Sequence, residues 1–233
     1  MVRRQSGRRQ SRPAVSQQRW STTMTNYRYP SEQDHVPLIL LVPGAPLSEG
    51  HWMNRWARWS EHCRVLELGL WDEPHRNTWV NKLNLAVRRA DRPVVIVTDD
   101  IAALALAWWV EFESVGKENP VLGAIVVNPP NMDLPGADRR LSRFGACPRQ
   151  PLPFTSFMVG DLDASMAQQR SMIRLAKDWD SFPVCDDTRG DWASGWMILQ
   201  SVLGEVPAAS FSPGWSYDEN LAVKQALRQW AGI

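Results

Sequence analysis

The sequence predicts a doubly wound α/β fold, a parallel sheet covered by helices on both faces. Three observations predict it. From Val36 onward, short apolar β-branched runs alternate with helix-length amphipathic stretches. The runs are apolar throughout, as strands buried on both faces require. Turn signals punctuate them at Pro43-Gly44, Pro129-Pro130 and Pro151-Leu152-Pro153.

In chain order, Pro37–Val42 is the first expected strand, closed by Pro43-Gly44, and Gly50–Glu61 the first helix. Arg64–Leu68 is the second strand and Thr78–Arg89 the second helix. Pro93–Val97 leads into the helix Ile101–Ser114, and Leu122–Val127 runs up to Pro129-Pro130. Phe154–Val159, Ser165–Lys177, Phe182–Cys185 and Trp192–Leu203 alternate strand and helix again. A last helix is expected over Asp218–Trp230, packed on the sheet or docking a partner. No repeat of fixed period is present.

Composition bounds the function. The 233 residues carry 26 basic and 25 acidic side chains. Residues 1–36 hold seven Arg against Glu32 and Asp34, which leaves 19 basic and 23 acidic groups for the rest. The expected folded part is therefore mildly acidic and lacks the charge of a nucleic-acid-binding domain. Residues 1–35 read as a disordered basic leader and 36–233 as a single domain. The first 23 residues fit an organelle transit peptide, a basic arm for an anionic partner, an extension upstream of a true start at Met24, or an inert tail. Cys63, Cys147 and Cys185 have no disulfide or metal spacing, which suits a reducing, cytoplasmic setting. The longest apolar run, Ile101 to Val110, is too short to span a bilayer.

In a doubly wound sheet, ligands bind beyond the carboxyl ends of the strands. The segments to inspect are Gly44–Ser48, Thr98–Ala102, Asn128–Met132, Gly160–Asp163 and Asp186–Asp191. Val42-Pro43-Gly44 with Ser48, His51-Trp52 and Trp56, then Trp71-Asp72-Glu73-Pro74, Trp79-Val80, Leu83 and Ala86-Val87, form one pattern. Gly123-Ala124, Pro129-Pro130-Asn131 and Pro151-Leu152-Pro153-Phe154 with Ser156 continue it. Together they resemble the small α/β-hydrolase family of the YdeN and retinoblastoma-binding serine hydrolase type, from about Val36 to Gly195.

The resemblance implies a compact, three-layer α/β-hydrolase-like parallel sheet without a large lid, whose active members use a Ser-Asp-His triad. The Ser would stand on the sharp turn after the third strand, at the head of a helix that helps bind an oxyanion. Here that turn reads Val97-Thr98-Asp99-Asp100-Ile101-Ala102, with Asp100 in the place of the Ser. Asp163 matches the acid of the triad, and Asp191 stands where the His is expected. All four histidines, His35, His51, His62 and His75, lie in the first third of the chain.

An Asp, with an ordinary pKa of about 3.9, is a poor substitute for the His base. The expectation is therefore a chain that is not an enzyme: a hydrolase homologue acting as a protein-binding scaffold or regulator, or holding a small cationic ligand. Its acidic pocket would comprise Asp99, Asp100, Asp161, Asp163 and Asp191, with Trp192, Trp196, Ala45, Ser48 and His51 around it. Repulsion among these acids needs an offset, and Arg189 is the nearest cation in sequence. Asp99 or Asp100 also suits the cap of the following helix. No cofactor or metal is expected. The alternative is a working hydrolase that uses Asp100 or Ser48 with His51 or His75.

Overall fold

The computed structural model describes residues 36–204, apart from 114–118, 135 and 137. The basic leader and the Asp218–Trp230 helix lie outside the described residues. Six parallel strands make one sheet: β1 (Leu38–Val42), β2 (Cys63–Val65), β3 (Val94–Asp99), β4 (Val121–Val127), β5 (Thr155–Asp161) and β6 (Phe182–Asp186), in the order β2-β1-β3-β4-β5-β6. The helices are α1 (Trp52–Trp59), α2 (Arg76–Arg88), α3 (Ala102–Phe112), α4 (Met166–Asp178) and α5 (Gly195–Val202). Every expected strand and helix within the described residues is present, with no end moved by more than three residues. No helix of the described residues is long and apolar enough to cross a membrane.

The alternation of side chains along each strand splits the core in two. Leu38, Leu40, Val94 and Ile96 face α2, α3 and α4, whereas Ile39, Leu41, Val95 and Val97 face α1 and α5. All five residues of β1 are therefore buried. On the first face, α3 is apolar almost all round because it lies against both the sheet and α2; Trp109 donates its Nε1–H to Asn84 of α2 at 3.3 Å. Trp108 is partly buried, with the Arg76 guanidinium 4.4 Å from its ring centre.

On the second face, Trp52, Trp56, Trp192 and Trp196 form one ring cluster. Trp56 stacks on Trp196 at 4.6 Å and on Trp192 at 5.3 Å between ring centres. Gly195 makes the cluster fit, since a Cβ there would stand 2.7 Å from the Trp192 ring and 2.8 Å from the Trp56 ring. This packing also explains why α5 starts at Gly195 rather than Trp192. Trp192 has φ 42° and turns its ring inward, so it cannot be a helical residue.

The strand order reverses between β1 and β3, with β2 on one side of β1 and β4 on the far side of β3. A crevice at the carboxyl ends of these two strands follows from that reversal. Gly44 and the turn Asp99–Ile101 stand at that end of the sheet, just after β1 and β3.

Candidate active site

The turn from β3 into α3 is sharp. Asp100 has φ 53°, in the left-handed region that a non-glycine residue rarely enters. Its N–H donates to the Val127 carbonyl at 3.0 Å, and its carbonyl accepts from the Ala103 N–H at 3.2 Å. This is the geometry that exposes a side chain at the head of a helix. Gly44 closes against it from β1, because a Cβ there would stand 2.6 Å from the Asp99 carbonyl oxygen and 2.7 Å from the Ile101 nitrogen.

The Asp100 carboxylate is held by an arginine from the long β4–β5 connection. A 3-10 turn, Arg139–Arg143, carries Arg140, whose Nη1 lies 2.8 Å from Asp100 Oδ2. The same Nη1 donates to the Gly44 carbonyl at 3.3 Å. Nε and Nη2 of Arg140 grip the Asp138 carboxylate at 2.6–3.1 Å. Burial pushes the Asp100 carboxyl above its ordinary pKa; the Arg140 hydrogen bond and charge pull it back, Asp99 raises it, and the Ile101 N–H lowers it. Asp138 shows the opposite balance. The Arg140 hydrogen bond holds it below the usual carboxylate range against a smaller effect of burial.

Asp99 meets His51, with Nε2 and Oδ2 3.5 Å apart. His51 is the N-cap of α1, and its Nδ1 accepts the Met53 N–H at 3.2 Å. With Nδ1 used as an acceptor, the neutral ring carries its hydrogen on Nε2 and presents a donor to Asp99. Ser48 is exposed, and its carbonyl accepts from the His51 N–H and the Asn54 side chain, tying the loop after β1 to α1. Ala45 lies half-buried in that loop.

The five acids do not form one pocket. Asp161 ends β5, two strands from β3 and so at least ~10 Å across the sheet from Asp99. It accepts the Asp163 N–H at 2.8 Å. Asp163 is exposed and pairs with Arg189 at 2.9 Å, while Arg189 also grips Asp187. Arg189 therefore serves this outer group, and Arg140 offsets Asp100. Asp191 is exposed, and its backbone carbonyl accepts the Trp56 Nε1–H at 3.2 Å. Trp192 and Trp196 are 1% and 6% exposed and belong to the core, so they offer no binding surface. Among the described residues, no three His, Cys, Asp or Glu side chains come together to hold a metal. Ile101 caps α3 without a side-chain bond, and neither Asp99 nor Asp100 is its N-cap.

Sequence reasoning missed Arg140 and Asp138, and it gave Asp186 no role beyond the segment Asp186–Asp191. Asp186 Oδ2 accepts from Trp192 Nε1 at 3.0 Å and from the Ser194 hydroxyl at 2.5 Å, anchoring the β6–α5 turn. The signal for the arginine was the long β4–β5 connection itself, since such connections carry function. Beside Arg140 opens a cavity of about 370 Å³, lined in part by Asp72, Glu73, Asp138, Arg139 and Arg143.

The sequence model of the serine hydrolase family matches residues 39–200. No curated protein sequence matches the chain significantly. Among solved structures, a protein described as a YdeN-like hydrolase of Pectobacterium atrosepticum is similar, with a TM-score of 0.58 at 21% identity over 72% of this chain and 92% of that one. The ydeN gene product of B. subtilis gives a TM-score of 0.50 at 13% identity, over 72% of this chain and 100% of the other. A monoacylglycerol lipase of Paleococcus ferrophilus gives 0.50 at 8% identity, over 74% of this chain and 97% of the other. These likenesses establish the α/β-hydrolase fold. The family match overturns the expectation that the chain is not an enzyme, because it takes in all six strands but for the first residue of β1 and the family is one of hydrolases.

Proposed function

The chain belongs to the serine hydrolase family, and on that premise we propose that it hydrolyses small carboxylic esters with the Asp100 carboxylate as general base toward a water molecule. The observation that carries this reading is the placement of Asp100 at the β3–α3 turn, with φ 53° and its carboxylate held by Arg140. Its upward-shifted pKa makes it a better proton acceptor than a free aspartate.

The reaction balances without a histidine. Asp100 takes one proton of the water as the water oxygen bonds to the ester carbonyl carbon. The carbonyl electron pair moves onto oxygen, toward the partial positive charge at the N-terminus of α3. Collapse breaks the carbon–oxygen bond to the alcohol, which leaves with the proton from Asp100. Attack by Asp100 itself would give a mixed anhydride that still needs an activated water. His51 is set to donate to Asp99 rather than to accept, so it supports the direct route.

The test is turnover of nitrophenyl acetate and butyrate by the full chain and by Asp100→Asn, which keeps the shape and removes the base. The expected loss is ~10²–10⁴-fold. Equal activity in the variant, or no turnover by the wild type, would contradict the reading. Labelling of Ser48 by a fluorophosphonate would move the reaction to that serine.

A further inference from the structure

We propose that Arg140 is a positioning residue that aims the Asp100 carboxylate and balances its charge, with Asp138 holding Arg140 in place. The inference rests on the reading of Asp100 as the base and names what governs that base.

The guanidinium has a planar fork of five N–H donors, and the structure uses it from both sides. Nε and Nη2 are committed to Asp138, two residues earlier on the same turn. That grip fixes the plane of the group. Nη1 then has one direction left, and along it lie Asp100 Oδ2 at 2.8 Å and the Gly44 carbonyl at 3.3 Å. One nitrogen thus ties the reacting carboxylate to the backbone of the loop after β1. The bond reaches Asp100 across two unrelated segments, β1 and the β4–β5 connection, at the end of a third.

The charges around Asp100 make the role necessary. Asp99 is its neighbour and faces His51; Asp138 adds a second carboxylate on the far side of Arg140. α3 brings no acidic residue in its first turn and no basic residue in its last, and β4 contributes only apolar residues and Gly123. Arg140 is therefore the cation that faces Asp100 among the described residues. Without it, a carboxylate only 31% exposed would stand beside Asp99 with the Ile101 N–H as its remaining support.

Arg140 also lines the cavity of about 370 Å³ together with Asp138 and Arg139, while its Nη1 faces the carboxylate. A lysine has the charge but one nitrogen centre, and cannot hold Asp138 and Asp100 in the same geometry.

The experiment compares wild type, Arg140→Gln, Arg140→Lys and Asp138→Asn in the full chain. Two readouts are taken: titration of the Asp100 carboxyl by NMR with isotope-labelled aspartate, its signal assigned by loss in Asp100→Asn, and the pH profile of kcat/KM on nitrophenyl acetate. Arg140→Gln is expected to raise the Asp100 midpoint and carry the acid limb of the profile with it, so that activity near pH 6 falls on the order of tenfold. Lysine is expected to restore the midpoint in part while kcat stays low, and Asp138→Asn to move both readouts in the same direction as glutamine by less. An unchanged Asp100 midpoint in Arg140→Gln overturns the charge-balancing role, and full recovery of kcat by lysine overturns the aiming role. If Arg140→Gln does not fold, Asp138→Asn decides: an unmoved midpoint and profile there overturn the proposal. A midpoint that moves while the activity profile does not would leave Arg140 as stated and sink the reading of Asp100 as the base.

Discussion

Gly44 and Ile101 meet backbone to backbone: a Cβ on Gly44 would stand 2.7 Å from the Ile101 nitrogen. The end of β1 and the turn after β3 are thereby pressed together at Asp99 and Ile101, on either side of Asp100. Gly44→Ala should destabilise the protein by ~1–3 kcal/mol, the usual effect of forcing an extra carbon into a filled space. Urea denaturation measures the change, and esterase activity should fall with it because the turn must shift.

Asp100 sets a pH dependence of stability. Its folded pKa is raised, so its contribution is fully present below the unfolded value and is lost as pH rises through the folded one. Asp100→Asn should therefore raise Tm near pH 7, with the gap to wild type closing in acid. Asp100→Ala removes the same charge but places a β-carbon at φ 53° without a polar side chain to support it, at a strain of ~1–2 kcal/mol. Asn should be the more stable of the two.

Asp138 has the opposite sign. Its lowered pKa stabilises the fold above the unfolded value, and the benefit is lost as pH falls. Asp138→Asn should lower Tm at neutral pH and flatten the loss of stability in acid, both read from thermal melts across the pH range.

The indole cluster offers a packing test. Gly195→Ala should cost ~1–3 kcal/mol, since the new methyl meets the faces of Trp56 and Trp192, neither of which can move without disturbing the other. Trp56→Ala should cost ~3–5 kcal/mol. Tryptophan fluorescence during urea unfolding reports both.

The cysteines should differ in reactivity. Burial pushes the thiol of Cys63 up to about 12 and that of Cys147 up to about 11, whereas Cys185 is exposed. A thiol reagent at about pH 8 should label Cys185 rapidly in the native protein, and Cys63 and Cys147 only after denaturation. Rapid labelling of Cys63 in the native state would contradict the packing of α1 on the sheet.

Period and composition made the sheet legible, because strands buried on both faces must be apolar without interruption, as in β1 and Val94–Val97. The turn at Asp100 was legible through the family resemblance, which implies a sharp turn after the third strand, between Val97 and Ala102. What the sequence did not disclose is which charges meet. Arg140 is forty residues from Asp100 and reaches it through a 3-10 turn with no apolar period to announce it. Arg189, close in sequence to Asp191, turned instead to Asp163 and Asp187. Likewise, Trp192 and Trp196 read as candidates for a surface, yet the inward turn at Trp192 closes both against Trp56. Local pattern specifies elements, whereas long-range pairing of charges and rings depends on loop paths that no period records.

In the proposed reaction Asp100 moves a proton and forms no bond to the substrate. A single turnover of ester in heavy-oxygen water, with enzyme in excess, followed by mass spectrometry of the peptide holding Asp100, tests this most directly. Proton transfer by Asp100 puts the heavy oxygen in the acid product and leaves Asp100 unlabelled. Heavy oxygen in the Asp100 carboxylate would show that this side chain had been esterified or acylated and then released by water, and would contradict it.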